Sequence, residues 1–309
     1  MIRSIATRII QIIATLWLAS TAVFVMIHLS GDPTQGFVPP GVSPEVREQM
    51  RVDLGLDDPI WQQYTQFIAR GFVGDFGDSW RDKQPALNAV LERLPATIQL
   101  STVAIALAVV TGIGYALLVN RPGKLRVFLN LLPSIGQAGP TFWLGAMLMM
   151  VLAGRRGWLP SSGSGSVSAI VLPALTLALQ PASTIARLLA TSMEDVASAD
   201  YVRTARSKGL QPSQIVKGHI APNAMLPAIG YIGLQAGFLV GGTVIVESLF
   251  AWPGIGRLAL QSALQRDLPV IHAFVVVTAV GVILINIVTD LIQIAIDPRL
   301  KTRSAVTHG

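Results

Sequence analysis

The sequence predicts an all-α, polytopic membrane protein with six transmembrane helices. Three observations carry this. Hydrophobic residues make up 51% of the chain and charged ones only 13%, against about a quarter charged in an ordinary soluble domain. The mean hydropathy is +0.57. The apolar residues also gather into six runs: Ile9–Leu29, Thr97–Val119, Val127–Ala153, Ile170–Ala190, Ala228–Phe250 and His272–Ile296. At about 1.5 Å per residue, each can cross a hydrocarbon core of about 30 Å. There is no cysteine, which excludes disulfides and thiolate chemistry. The net charge of +6 does not require nucleic acid, because Lys and Arg held on one side of a membrane produce the same excess.

The first run follows Arg3 and Arg8. A cleaved signal peptide is the rival reading, and "WLASTA" resembles a cleavage region. The apolar character nevertheless continues through Val23, Val25 and Met26 to Leu29, longer than a usual signal core. An uncleaved first helix is therefore expected. Residues 30–96 then carry 6 Lys/Arg and 10 Asp/Glu. Three amphipathic stretches lie within them. "SPEVREQMRVDLGL" places Pro44 at a helix start, Val46, Met50 and Leu54 on one face, and Gly55 at the stop. "DPIWQQYTQFIARGF" offers Trp61, Tyr64 and Ile68, and "PALNAVLERL" offers Leu87, Val90, Leu91 and Leu94. Such helices either pack onto the bundle or present a docking surface to an external partner. "SSGSGSVS", at Ser161–Ser168, reads as a flexible link.

The third run contains Pro133, Gly136, Gly139 and Pro140, and the fourth contains Pro173 and Pro181. Helix breakers persist in lipid where neighbours or water satisfy the freed carbonyls, so they mark either a pathway, a joint or ordinary kinks. The fifth run has Gly233, Gly237 and Gly241 at successive turns, which lets another helix approach closely. Domain organisation follows: residues 1–96 form the first helix and an external segment, residues 97–296 a five-helix core with an inner loop at about 196–227, and residues 297–309 a tail.

Loop charge gives the orientation. The N-terminus, Asn120–Arg126, Arg187–Met225 and the C-terminal tail together carry 13 Lys/Arg. The remaining 10 include the 6 of the long acidic segment, and long translocated segments follow the charge rule poorly. Both termini are thus expected in the cytoplasm, against which Arg155 and Arg156 stand as an exception.

No GxxxxGK[ST] loop occurs, so the chain lacks that device for holding ATP. His28, His219, His272 and His308 are scattered, and neither a metal site nor a catalytic nucleophile emerges. Few ionisable residues lie within the spans: Glu247 near one end of the fifth, Asp290 toward the inner end of the sixth and Arg187 at the inner end of the fourth. A proton-coupled carrier needs titratable groups deep in the bundle. Their scarcity favours a pore powered from outside. Gln235, Asn286 and Thr289 are candidates to line it, or to hydrogen-bond neighbouring helices.

The stretch "ADYVRTARSKGLQPSQIVKGHIAPNAMLP" interrupts the apolar pattern. Ser198 or Asp200 can cap a helix over Tyr201–Lys208, Gly209 suits its stop, and Pro212 opens a second helix to about Ala221. Ala205 and Gly209 would leave a shallow seat ringed by Arg203, Arg206, Lys208 and Lys217. Such a knob either docks into a cytosolic protein or rests on anionic lipid.

This insert resembles the cytoplasmic EAA loop of ABC-importer permeases, in which E-A-A, three residues, Gly, nine residues and I-x-L-P recur. The corresponding positions here are Arg203, Thr204, Ala205, Gly209, His219, Ala221 and Pro222, with Tyr201, Arg206 and Lys208 alongside. The acidic residue is replaced by Arg203, and the Ile and Leu by His219 and Ala221. That variant is similar to the dipeptide/oligopeptide/nickel branch. "GDPT", "LGLDDPIWQQY", "GDFGDSW", "LPATIQLS", "PTFWLG", "GWLPSSG", "VLPALTLAL", "VESLFAWPGIGRL", "RDLPV" and "DPRL" follow in that family's order along nearly the whole chain. The long external segment matches the first of the two permeases that pair in these systems. Pro222 falls where that branch continues its helix, so the second helix is expected to end early.

The resemblance implies a type I ABC-importer permease in the bacterial inner membrane. It implies a second homologous permease, two cytosolic ATPase subunits that bind ATP and Mg, and an external substrate-binding protein, with no cofactor and no enzymatic activity in this chain. Peptides are the expected cargo, with nickel chelates or other small solutes as the alternative within the class. A gate role is expected for "AWPGIGRL", with Trp252 as an interfacial anchor. Outside the class, a stand-alone carrier or channel and a non-transporting scaffold are the competing readings.

Overall fold

The computed structural model describes residues 2–29, 57–119, 132–137, 139–155 and 157–296, with Ser43, Glu45, Gln49 and Val52. The expected helix from Pro44, the loop Asn120–Arg126, Arg156 and the tail lie mostly or wholly outside the described residues. Packing divides the chain into two compact units, Met1–Ile98 with Ala251–Ile283 and Gln99–Phe250 with Leu284–Gly309.

Four helices are long and apolar enough to cross a membrane, among the described residues: α3 (Ala86–Val119), the run ending in α6 (Val171–Ala197), α8 (Pro212–Gly242) and α11 (Leu268–Ile296). Two shorter apolar stretches, Ile10–Met26 within α1 (Ile2–Leu29) and Thr141–Gly154, fall where the first and third spans were expected.

In the first unit, α2 (Ile60–Phe72) packs on α1. Its contact face is Tyr64 and Phe67: Tyr64 hydrogen-bonds Thr21 at 2.8 Å and meets the edge of Phe24. Trp61, expected on that face, points outward. The expected separation between "PALNAVLERL" and the second span is absent, because α3 runs unbroken through Pro95 for 34 residues. Proline removes one helical hydrogen bond. Burial on both sides of it offsets that loss: before it Ala86, Ala89 and Val90 pack with Ile255, Leu258 and Val270, and after it Thr97, Leu100 and Ala104 are buried. Leu91 is exposed rather than part of this face. His272 is buried. Its ring stacks on Phe67 at 3.9 Å and hydrogen-bonds Ser20 at 3.3 Å.

The second unit is organised around α6, whose apolar stretch is the most buried of the four spans. Glycines let other helices reach it. A Cβ on Gly112 of α3 would fall 2.7 Å from Ile185, and one on Gly145 of α5 (Thr141–Leu148) would fall 2.9 Å from Thr176. Gly136 of α4 (Leu132–Gln137) sits equally tightly against Ser183. Side-chain size at these positions therefore sets the helix spacing.

Candidate functional site

The knob begins where α6 ends at Ala197 and α7 (Asp200–Ser207) starts. Neither Ser198 nor Asp200 caps α7. Ala199 is the extended N-cap residue, and the Ser198 hydroxyl donates back to the Asp195 carbonyl at 2.7 Å. Asp200 instead occupies the first helical turn, where a carboxylate complements the positive helix end. It also pairs with Arg203 at 3.5 Å, an exposed contact of little energetic weight.

Gly209 stops the helix as expected, with φ +77° and its N–H donating to the Arg206 carbonyl at 3.0 Å. Gln211 then starts α8, its N–H donating to the Gln214 side-chain oxygen at 3.0 Å, with Pro212 in the first turn.

Two features differ from expectation. The segment after Gly209 is not a separate short helix, since helical structure continues from Pro212 to Gly242. A π turn at Val216–Ile220 precedes Pro222, and the N–H of Ala221 reaches back to the Val216 carbonyl. The wider turn relieves the clash that a proline ring makes with the carbonyl four residues earlier in a regular helix. Pro222 therefore does not end the helix.

The proposed seat is also not on the surface. Ala205 is 5% exposed and packs with Val202, Ile215 and Ile220 in the core of the second unit. Alanine is needed there because α7 lies against that core. The exposed face is Tyr201, Arg203, Thr204, Arg206, Lys208 and Gly209, with Lys217 on α8. His219 is half-buried and Pro222 exposed. The knob thus has an apolar root and a basic outer face.

The candidate path residues differ in their surroundings. Glu247, on α9 (Val244–Leu249), is fully buried and accepts a hydrogen bond from Thr243 at 2.8 Å. Gln235 is half-buried and Asn286 exposed. Thr289 packs onto Gly233, where any Cβ would overlap its side chain. Gly233 and Gly237 are buried, whereas a Cβ on Gly241 would meet open space. The close approach runs through Gly233 and Gly230, where an added Cβ would fall 3.1 Å from Gln293, rather than along all three predicted glycines.

Trp252, in the first unit, is 4% exposed, so it does not serve as an interfacial anchor. Its indole N–H donates to the Ala96 carbonyl at 2.9 Å, and the N–H of Ile255, which opens α10 (Ile255–Leu264), donates to Thr97 at 2.9 Å.

Sequence reading passed over a polar ladder between α4–α5 and α6. Gln137 donates to Thr184 at 2.9 Å and accepts from Arg187. Gln180 donates to the Gly139 carbonyl, freed at the break before Pro140, and accepts from Thr141, each at 3.3 Å. The signal was present in the sequence: Gln180, Thr184 and Arg187 recur at helical spacing along one face. No cluster able to hold a metal ion occurs among the described residues.

Two family models cover the chain. "Binding-protein-dependent transport system inner membrane component" matches residues 100–302, and its N-terminal companion matches residues 1–101. The chain is 36% identical over 307 residues to the glutathione transport system permease protein GsiC of Escherichia coli strain K12, covering 97% of this chain and 99% of that protein. The same figures hold for GsiC of Shigella dysenteriae serotype 1. Among solved structures, it resembles the inward-facing MetNI methionine ABC transporter, with a TM-score of 0.54 and 21% identity over 67% of this chain and 95% of that one. An amino acid ABC transporter gives a TM-score of 0.53 and 16% identity over 67% and 92%. The chain belongs to the family of binding-protein-dependent transport system inner membrane components, and it is the permease component of an ABC importer.

Proposed function

We propose that this permease forms the membrane path for short peptides, handed over by an external binding protein and driven by ATP hydrolysed in separate subunits. Peptide as cargo is supported by the 36% identity to permeases named for glutathione, itself a tripeptide. The partners are a second homologous permease, two cytosolic ATPases that carry ATP and Mg, and the receptor. The protein sits in the bacterial inner membrane with both termini in the cytoplasm, as the excess of basic residues in its short loops favours.

The observation that carries the coupling role is the two-sided knob at Asp200–Ile220. Its root of Val202, Ala205, Ile215 and Ile220 is buried, while Arg203, Arg206 and Lys208 remain exposed. A loop that merely rested on lipid would need the charges but not the rigid root. A part that transmits displacement needs both, because force applied at the surface must reach the helices without being lost in loop motion.

Reversing the outer charges while leaving the root intact tests this reading. The double substitution Arg206→Glu and Lys208→Glu should leave the permease inserted and folded. It should reduce copurification of the ATPase subunits and abolish ATP-dependent uptake of a labelled tripeptide into vesicles. Full uptake by that variant would remove the knob from the coupling role. Uptake by the isolated permease without ATPases would favour the stand-alone carrier.

A further inference from the structure

The first unit contains a polar cavity of about 250 Å³ remote in sequence from the knob. One wall is the loop after α2, another is α3, and a third is the end of α10 with the turn into α11. Arg81, Asp82, Arg93, Gln261, Gln265 and Asp267 contribute to its lining.

The walls are fixed from within. Buried Asp267 accepts from the Ser79 hydroxyl at 2.5 Å and from the Trp80 N–H at 3.2 Å, and the Ser79 oxygen in turn accepts from the Asp82 N–H at 3.1 Å. Asp267 thus joins two walls through neutral donors, with its carboxylate tied to Ser79 and Trp80. Asp82 lies 3.7 Å from Arg81, which also donates to Gln265 at 2.6 Å. The remaining cation on the lining, Arg93, is half-buried and has no hydrogen-bond or ion-pair partner among the described residues. A cation held partly out of water without a counter-charge favours an incoming anion.

Lys83 and Arg266, next to lining residues on two walls, both have φ +55°, a conformation that glycine adopts without steric cost. Each position instead carries an exposed basic side chain, beside the lining in sequence and outside the lining itself. Size narrows the occupant. Small-molecule pockets usually enclose about 300–1,000 Å³, so this cavity suits an inserted side chain better than a whole peptide.

We infer that this cavity is a socket for an acidic side chain of the external binding protein, with Arg93 as its principal contact. The inference rests on the importer reading above, which places the segment after α1 outside the cell.

The test uses the assembled importer and its purified receptor. Arg93→Glu should weaken receptor binding roughly tenfold or more and flatten its salt dependence, while Arg93→Gln should have a smaller effect. Arg70→Glu, an exposed reversal on α2 outside the cavity, should leave binding unchanged. A lysine in the receptor should restore binding to the Arg93→Glu permease when it replaces the matching acidic residue. Should Arg93→Glu hinder assembly, a photo-crosslinker at Gln261 in an otherwise native chain should attach to an acidic patch of the receptor. Unchanged affinity in an assembled Arg93→Glu importer, or no receptor adduct from Gln261, overturns the socket. So does a variant whose receptor binding is intact but whose KM for an anionic peptide rises, since the cavity would then serve the cargo. In each of these outcomes receptor-dependent uptake by the wild type leaves the importer reading standing. A wild-type importer that neither binds the receptor nor transports overturns both.

Discussion

Gly209 allows the knob's architecture to be tested by size against backbone conformation. Its φ is +77°, and a Cβ added there would meet nothing within 4 Å. Any penalty must therefore come from the backbone and not from crowding. Placing an ordinary L-residue in the left-handed region costs about 1–2 kcal/mol, and asparagine tolerates it better than most. The expected order of destabilisation is Gly209→Asn least, Gly209→Ala next at about 1 kcal/mol, and Gly209→Val greatest at about 2 kcal/mol. Since about 1.4 kcal/mol is a factor of ten, the valine variant should raise local opening of the knob roughly thirtyfold. Hydrogen exchange at the amides of Val202, Ala205 and Ile215, which belong to the root, reads this directly in detergent-solubilised protein. A cost that followed side-chain volume, with asparagine worse than alanine, would show that crowding governs the turn and that the open geometry around Gly209 is wrong.

Two further substitutions probe the packing. Gly233→Ala should destabilise by about 1–3 kcal/mol, seen as a lower unfolding midpoint in mixed micelles. Thr289→Ala should rescue it only partly, because the Thr289 Cβ alone stands 2.7 Å from the new atom, whereas Thr289→Gly should relieve the overlap at a helix cost of about 1 kcal/mol. Equal rescue by both would contradict the contact. Trp252→Phe keeps an aromatic ring in a site that is 4% exposed but deletes the hydrogen bond to Ala96. About 1 kcal/mol should be lost, and an unfolding midpoint identical to wild type would mean that the bond contributes nothing.

Hydropathy made the helical architecture legible because lipid forces backbone groups to pair within each segment. The glycine stop and the Pro212 start were equally readable, since both act through local backbone chemistry. What sequence reading missed depends on contacts across the fold. Ala205 looked like a surface seat because small residues suit both an exposed hollow and a tight interface, and only the burial of Val202 and Ile215 beside it distinguishes the two. Trp252 looked like a lipid anchor because an indole at a span's end suits the interface, yet a carbonyl at Ala96 supplies its partner. Pro222 looked like a terminator, but a π turn accommodated it. The Gln137–Arg187 ladder required knowing that two segments 50 residues apart lie side by side.

The continuity of α8 changes how a displacement at the knob would travel. Had the helix ended at Pro222, a push on the outer face would have reached the bundle through a loose corner, and most of it would have been absorbed there. Helical structure instead runs 31 residues from Pro212 to Gly242, about 46 Å at 1.5 Å per residue. The contact of Gly233 with Thr289 lies about two-thirds of the way along it and is too tight to slide without moving α11. A tilt imposed at Pro212 is therefore shared with α11 through that contact. The root of the knob shares it with α6 as well, because Ile215 and Ile220 pack in the same core as Ile185, Leu189 and Met193. The two irregular places along α8, the π turn and Pro227, are where the helix can bend while its ends remain anchored. Coupling in such a design needs no charged residue within the membrane, which accounts for a permease whose spans carry so few.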